Sequence, residues 1–170
     1  MQSDKREPVK PAGSKIVKYF NTLNNTTLKT SRINILLADD DTDDCFFFEK
    51  ALREIPIATQ LTILNDGEQL MEYLSSTEMQ HPLVIFLDLS MPRKTGFECL
   101  QEIKENNRLK NIEVIVLSTS YPRDVVYEQG IIKTLTGLGA ANFIRKPGDF
   151  SKIKEVIHNE LIRVLEKKAA

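Results

Sequence analysis

Five side chains stand out for the chemistry their types permit: the carboxylates of Asp39, Asp40 and Asp88, the hydroxyl of Ser118 and the ammonium of Lys146. Three acids at short range repel one another unless a cation neutralises them. A hard, all-oxygen donor set suits Mg²⁺, which keeps several waters and binds few carboxylates. With such an ion present, one carboxylate can attack phosphorus while the incoming phosphoryl oxygens are screened. Phosphoryl transfer is mostly positioning and charge stabilisation, which Lys146 and Ser118 can supply by holding one phosphoryl oxygen each. The set is sufficient for a reversible aspartyl phosphate.

These residues are far apart in sequence, so the elements between them must gather them. Ile33-Asn34-Ile35-Leu36-Leu37-Ala38 is a short apolar run and predicts a buried strand ending at Asp39. After Thr42, a candidate N-cap, Cys45, Phe48, Leu52 and Ile55 recur at helical spacing until Pro56. Asp41, Asp43 and Asp44 read as solvated charge at that helix start, where the dipole favours acid. Leu61 to Leu64 predicts a second strand, followed at Asn65-Asp66-Gly67 by a turn into a helix with Leu70, Met71, Tyr73 and Leu74. Leu83 to Leu87 is continuously apolar and ends at Asp88, and a helix follows Gly96 with Phe97, Leu100 and Ile103 on one side. Ile112 to Leu117 predicts the fourth strand, ending at Ser118, with a helical region from Arg123 to about Leu138. Ala141 to Arg145 predicts the fifth, and Phe150 to about Glu166 the last helix.

Five β–α units in alternation predict an α/β fold, a five-stranded parallel sheet with helices on both faces. Continuous apolar strands fit such a doubly covered sheet. Ligand sites in these sheets lie beyond the carboxyl ends of the strands. Asp39, Asp40, Asp88, Ser118 and Lys146 all fall there.

Composition narrows the remaining classes. The chain has 170 residues, 41% hydrophobic and 28% charged, enough for one sizeable core. A formal net charge of −1 gives no overall attraction to nucleic acid or anionic membrane. No apolar run approaches the ~20 residues needed to cross a bilayer, and the N-terminus lacks a signal-peptide pattern. A cytoplasmic location is expected. Cys45 and Cys99 form no CxxC pair and read as buried, reduced thiols. His81 and His158 are isolated and read as surface residues. The acidic run from Asp39 lacks the glycine and the terminal glutamate of an EF-hand, having Asp44 and Lys50 in their places. Neither GxGxxG nor a GxxxxGK[ST] phosphate loop occurs.

Taken together, Leu36-Leu37-Ala38-Asp39-Asp40, Leu87-Asp88-Leu89-Ser90-Met91-Pro92 with Gly96, Leu117-Ser118-Thr119 and Lys146-Pro147 resemble the receiver domain of two-component response regulators. The resemblance runs from about residue 32 to 168. It implies the flavodoxin-like receiver fold and a stand-alone response regulator phosphorylated on Asp88 by a sensor histidine kinase or histidine phosphotransfer protein. It further implies Mg²⁺ held by Asp39, Asp40, Asp88 and the Ser90 backbone carbonyl, with Asp40 the more direct of the acidic pair. Ser118 matches the hydroxyl position, Lys146 the lysine, and Phe143 the aromatic switch. The Lys146–Pro147 bond is expected to be cis, a form almost confined to X-Pro.

Residues 1–31 hold little apolar surface and read as a flexible tail, leaving 32–170 as the receiver domain. Between Ser118 and Lys146 the chain is a few residues longer than most receivers, with the surplus near Gly130 to Gly137. It reads either as a partner-specific insertion or as a longer helix with a looped end. No room follows the last helix for a helix-turn-helix module, so direct nucleic-acid binding is not expected. Output is expected through an unidentified protein target. Such a protein is classed as a signalling protein rather than an enzyme. A constitutive scaffold and an aspartyl-phosphate hydrolase are the competing readings. The first is disfavoured because every acid, the hydroxyl and the lysine are present. The second would want an acid two residues past Asp88, where Ser90 stands. Ser90 and Ser120 neighbour the expected site and bear on how water reaches it.

Overall fold

The computed structural model describes residues 32–78, 81–119 and 125–169, with side chains described outside 125–127. The expected tail over 1–31 and Ser120 lie outside these residues. Strand β1 (Ile33–Ala38) leads to helix α1 (Thr42–Arg53), β2 (Thr59–Leu64) to α2 (Gly67–Ser75), and β3 (Val84–Leu87) to α3 (Gly96–Glu105). Strand β4 (Glu113–Ser118) then precedes α4 (Val125–Gly137), and β5 (Asn142–Arg145) precedes α5 (Phe150–Ala169). All strands are parallel, in the order β2-β1-β3-β4-β5. The chain turns outward in opposite directions from β1 and β3, so the switch point lies between them.

Strand alternation divides the core into two layers. Leu36, Ala38, Ile85, Leu87, Val114 and Val116 pack on one face against Leu70 and Leu74 of α2, Leu100 and Ile103 of α3, and Ile131 and Leu135 of α4. Ile35, Leu37, Val84, Phe86, Ile115 and Leu117 point to the other face, against Cys45, Phe48 and Leu52 of α1 and Ile157, Leu161 and Val164 of α5. Burying one large aliphatic side chain stabilises the fold by roughly 1.5–3 kcal/mol, so each face contributes a substantial share. Glu113 at the start of β4 is buried and pairs at 2.6 Å with Lys167 near the end of α5.

Local chemistry sets the helix ends. The N-cap of α1 is Asp41, not Thr42: its carboxylate accepts from the amides of Asp43 and Asp44, and Thr42 is already the first helical residue. Helix α3 starts with a capping box between Thr95 and Glu98. The stretch Gly130 to Gly137 is helical rather than an inserted loop. It closes with Gly139 at φ +94°, while the amides of Gly139 and Ala140 donate to the carbonyls of Thr136 and Leu135. That paired pattern is a Schellman cap, which requires the left-handed residue that glycine supplies without strain.

Candidate functional site

The register fixes the site. Ala38 stands opposite Leu87, so the residues that follow, Asp39 and Asp88, leave the sheet side by side. The Asp88 amide donates to the Ala38 carbonyl at 2.9 Å, which holds the two strand ends together. Ser118 stands opposite Arg145, which delivers Lys146 to the same edge, and the Lys146 amide donates to the Ser118 carbonyl at 3.2 Å.

Lys146 is the hub. Its ammonium lies 2.7 Å from Asp39 Oδ2, 2.8 Å from Asp44 Oδ2 and 3.0 Å from Asp88 Oδ1. Burial alone would lower the Lys146 pKa, but hydrogen bonds to Asp39 and Asp44 more than offset it, and the group is held above its ordinary value as an ammonium. Burial pushes the Asp39 carboxyl up to about 6, against the lowering effect of Lys146 and the Asp41 amide. At neutral pH the carboxyl therefore remains mostly ionised. The second oxygen of Asp88 accepts from the Ser90 amide at 2.6 Å, and that of Asp39 from the Asp41 amide at 3.1 Å.

The loop after Asp88 is held tightly. A Cβ on Gly96 would sit 2.1 Å from the Asp88 carbonyl oxygen, a distance no side chain tolerates. Leu89 and Met91 are buried, and the Gly96 amide donates to the Leu89 carbonyl. Arg93, at φ 64°, pairs with the fully buried Asp66, whose other oxygen caps α2 through the Gln69 amide. A Cβ on Gly67 would meet the Lys94 carbonyl at 2.2 Å. The β3–α3 and β2–α2 loops thus lock together beside the site.

A polar cavity of about 450 Å³ opens over these groups, lined by Asp39, Asp40, Asp41, Asp43, Asp44, Asp88, Ser90, Thr119 and Lys146, with Thr42. Asp40 is exposed on its rim. Three carboxylates around one ammonium leave a surplus of negative charge, which is the condition under which a divalent cation is favoured. Among the described residues, no three acids, histidines or cysteines already converge as a ready metal cage. Magnesium does not need one, since it takes one or two carboxylates and keeps waters. The exclusively hard oxygen donors of Asp39, Asp40, Asp88 and Ser90 fit such an ion.

Most residues singled out from sequence meet here, with three differences. Ser118 is buried at the end of β4, and its neighbour Thr119 lines the cavity instead. Asp44 is not merely solvated helix-start charge but a direct partner of Lys146. No cis peptide occurs among the described residues, so the Lys146–Pro147 bond is trans. Trans is the lower-energy isomer of X-Pro by about 0.5–1 kcal/mol, and the ammonium reaches all three carboxylates from it. Phe143, half-buried on β5, packs against the core layer of α2, α3 and α4. His81 is exposed and His158 half-buried on α5. Both cysteines are buried and unpaired.

Comparison with known proteins points to one family. Residues 35–158 match the family described as response regulator receiver domain. Response regulator Rcp1 of Synechocystis sp. is 40% identical over 96 residues, covering 54% of this chain and 65% of that protein. The probable methanogenesis regulatory protein FilR2 of Methanothrix harundinacea is 32% identical over 93 residues, covering 53% and 60%. The matched stretches thus span less than two thirds of these relatives' lengths. The Mn²⁺-bound crystal structure of response regulator Rcp1 aligns with a TM-score of 0.65 at 30% identity, covering 75% of this chain and 90% of that one. The phosphorylated cyanobacterial phytochrome response regulator RcpA aligns with a TM-score of 0.65 at 28% identity, covering 76% and 91%. With its sheet order, its strand-end acids and its lysine in place, the chain belongs to the family of response regulator receiver domains.

Proposed function

We propose that this protein accepts a phosphoryl group on Asp88 from a sensor histidine kinase or a histidine phosphotransfer protein, and signals through protein contacts that depend on it. The observation that carries the reading is Lys146, whose ammonium joins Asp39 and Asp88 at the floor of an open, oxygen-lined cavity. In the reaction a carboxylate oxygen of Asp88 bonds to phosphorus as the donor's phosphorus–nitrogen bond breaks and the imidazole leaves with the electron pair. Lys146 would hold one phosphoryl oxygen, and the Ser118 hydroxyl, buried beside the cavity at the end of β4, would hold another once drawn toward the group. Asp39, Asp40, Asp88 and the Ser90 carbonyl would hold Mg²⁺, which when bound screens the charge of the phosphoryl oxygens. The Mn²⁺-bound and phosphorylated structures of similar regulators support both parts of this reading.

The added phosphoryl group brings ~1.5–2 negative charges to the strand ends. Drawing Ser118 and Lys146 toward it would let Phe143 repack, altering the face formed by α4, β5 and α5. That face is the proposed docking site for a protein target, with no direct role for nucleic acid or membrane. The proposed location is cytoplasmic; among the described residues no helix is long and apolar enough to cross a membrane. Residues 32–170 would form the receiver domain, a signalling module that promotes its own phosphorylation.

The test is incubation with acetyl phosphate and Mg²⁺, followed by intact mass. The wild type is expected to gain one phosphoryl group, to lose that gain with chelator, and Asp88→Asn to gain none. Stoichiometric labelling of Asp88→Asn would sink the assignment, and failure of the wild type with every donor would favour a scaffold that is never phosphorylated.

A further inference from the structure

Lys146 has three ammonium hydrogens and three carboxylate partners, so none is left for a phosphoryl oxygen. If the lysine is to hold an incoming phosphoryl group, as the reading above requires, one partner must let go. The three are not equivalent. The side chains of Asp39 and Asp88 are 3% and 4% exposed; releasing Asp39 uncovers a buried charge, and Asp88 keeps its own charge until its oxygen bonds to phosphorus, so before that bond forms neither is free to let go. Asp44 is 34% exposed and sits in the first turn of α1, where water can replace the ammonium and the helix dipole supports its charge.

We infer that Asp44 is a positioning residue that parks Lys146 in the resting state and is exchanged for a phosphoryl oxygen during acceptance. Asp44 touches neither phosphorus nor the acceptor carboxylate; it acts through the lysine. The exchange moves one hydrogen bond and no proton. With acetyl phosphate as donor, an Asp88 oxygen bonds to phosphorus, the bond from phosphorus to the acetate oxygen breaks, and acetate departs with the electron pair. Lys146 stays protonated throughout. The contact joins residues 102 positions apart, so it also ties the start of α1 to the end of β5 until the donor arrives.

The resting ion pair is a barrier contribution that the wild type overcomes and a variant without it does not. A partly exposed pair accounts for about three-fold in rate. Asp43, one residue earlier, exposed on the rim of the same cavity and not among the ion-pair partners of Lys146, provides the control for charge alone. Acceptance from acetyl phosphate would be followed as a time course by intact mass in wild type, Asp44→Asn, Asp44→Glu and Asp43→Asn, each at the same Mg²⁺ concentration. Asp44→Asn is expected to accept about three-fold faster than wild type, clearly beyond Asp43→Asn, with Asp44→Glu returning to the wild-type rate. Equal rates for Asp44→Asn and either wild type or Asp43→Asn would overturn the inference, as would a fast Asp44→Glu. If wild type itself takes up no phosphoryl group, the reading of the site fails instead, so the two failures are separable. Thermal melts of the four proteins check that all are folded at the assay temperature.

Discussion

At the scale of single residues, the site balances burial against charge. Lys146 is the cation that keeps Asp39 and Asp88 tolerable below the surface. Lys146→Met should therefore destabilise the protein by about 3 kcal/mol, because it leaves like charges buried without their partner. Mg²⁺ should recover part of that loss by binding the folded form alone, and urea midpoints with and without the ion would measure both effects. The thiols behave oppositely, as neutral groups kept neutral. Burial pushes Cys45 up to about 12 and Cys99 up to about 11. Native protein should resist iodoacetamide at pH 9, while unfolded protein takes two labels. The folded state retains the Cys99 proton up to about pH 11, whereas the unfolded chain loses it near 9.0. Stability must then fall as pH rises across that window, and Cys99→Ala should show a shallower fall in urea midpoint. The roles of the buried thiols were readable from apolar spacing. The role of Asp44 was not, because an aspartate in a first helical turn is well explained by the helix alone, and its partner lies on another element.

At the scale of elements, strand ends were legible and their flanking geometry was not. Apolar runs located β1, β3 and β4 to within a residue or so, since both faces of each are covered, and the half-buried edge strand β5 as closely. β2 begins at Thr59, two residues before its apolar part, because an edge strand pairs through backbone irrespective of its side chains. Asp41 and Thr42 are both good capping types, and only the backbone decides between them. The surplus around Gly130 read equally as a partner-specific insertion or as a longer helix with a looped end, and helical hydrogen bonding with the burial of Ile131 and Leu135 decides for the helix despite its two glycines. In the β3–α3 loop, glycine is a packing requirement rather than a convenience. Gly96→Ala would force a Cβ onto the Asp88 carbonyl, and should cost about 3 kcal/mol in urea unfolding while also slowing acetyl phosphate labelling. A variant as stable and as reactive as wild type would show that the loop can shift without disturbing Asp88.

At the scale of the whole molecule, the order β2-β1-β3-β4-β5 does the gathering: four sequence-distant segments reach one edge because all strands run the same way. The opposite edge is tied separately, where Lys167 at the far end of the 20-residue α5 pairs with Glu113. Fold class was therefore the most legible property, and the precise hydrogen-bonding economy of the edge the least. The surplus negative charge at the mouth of the cavity has a consequence for fidelity. Small phosphorylated metabolites are anions, and an uncompensated acidic rim repels them in proportion to their charge. A docked protein donor can offset that repulsion with its own contacts, whereas a freely diffusing molecule cannot. If the protein accepts phosphoryl groups as proposed, the acidic turn from Asp40 to Asp44 would act as a noise filter, slowing labelling by small anionic donors relative to a docked protein donor.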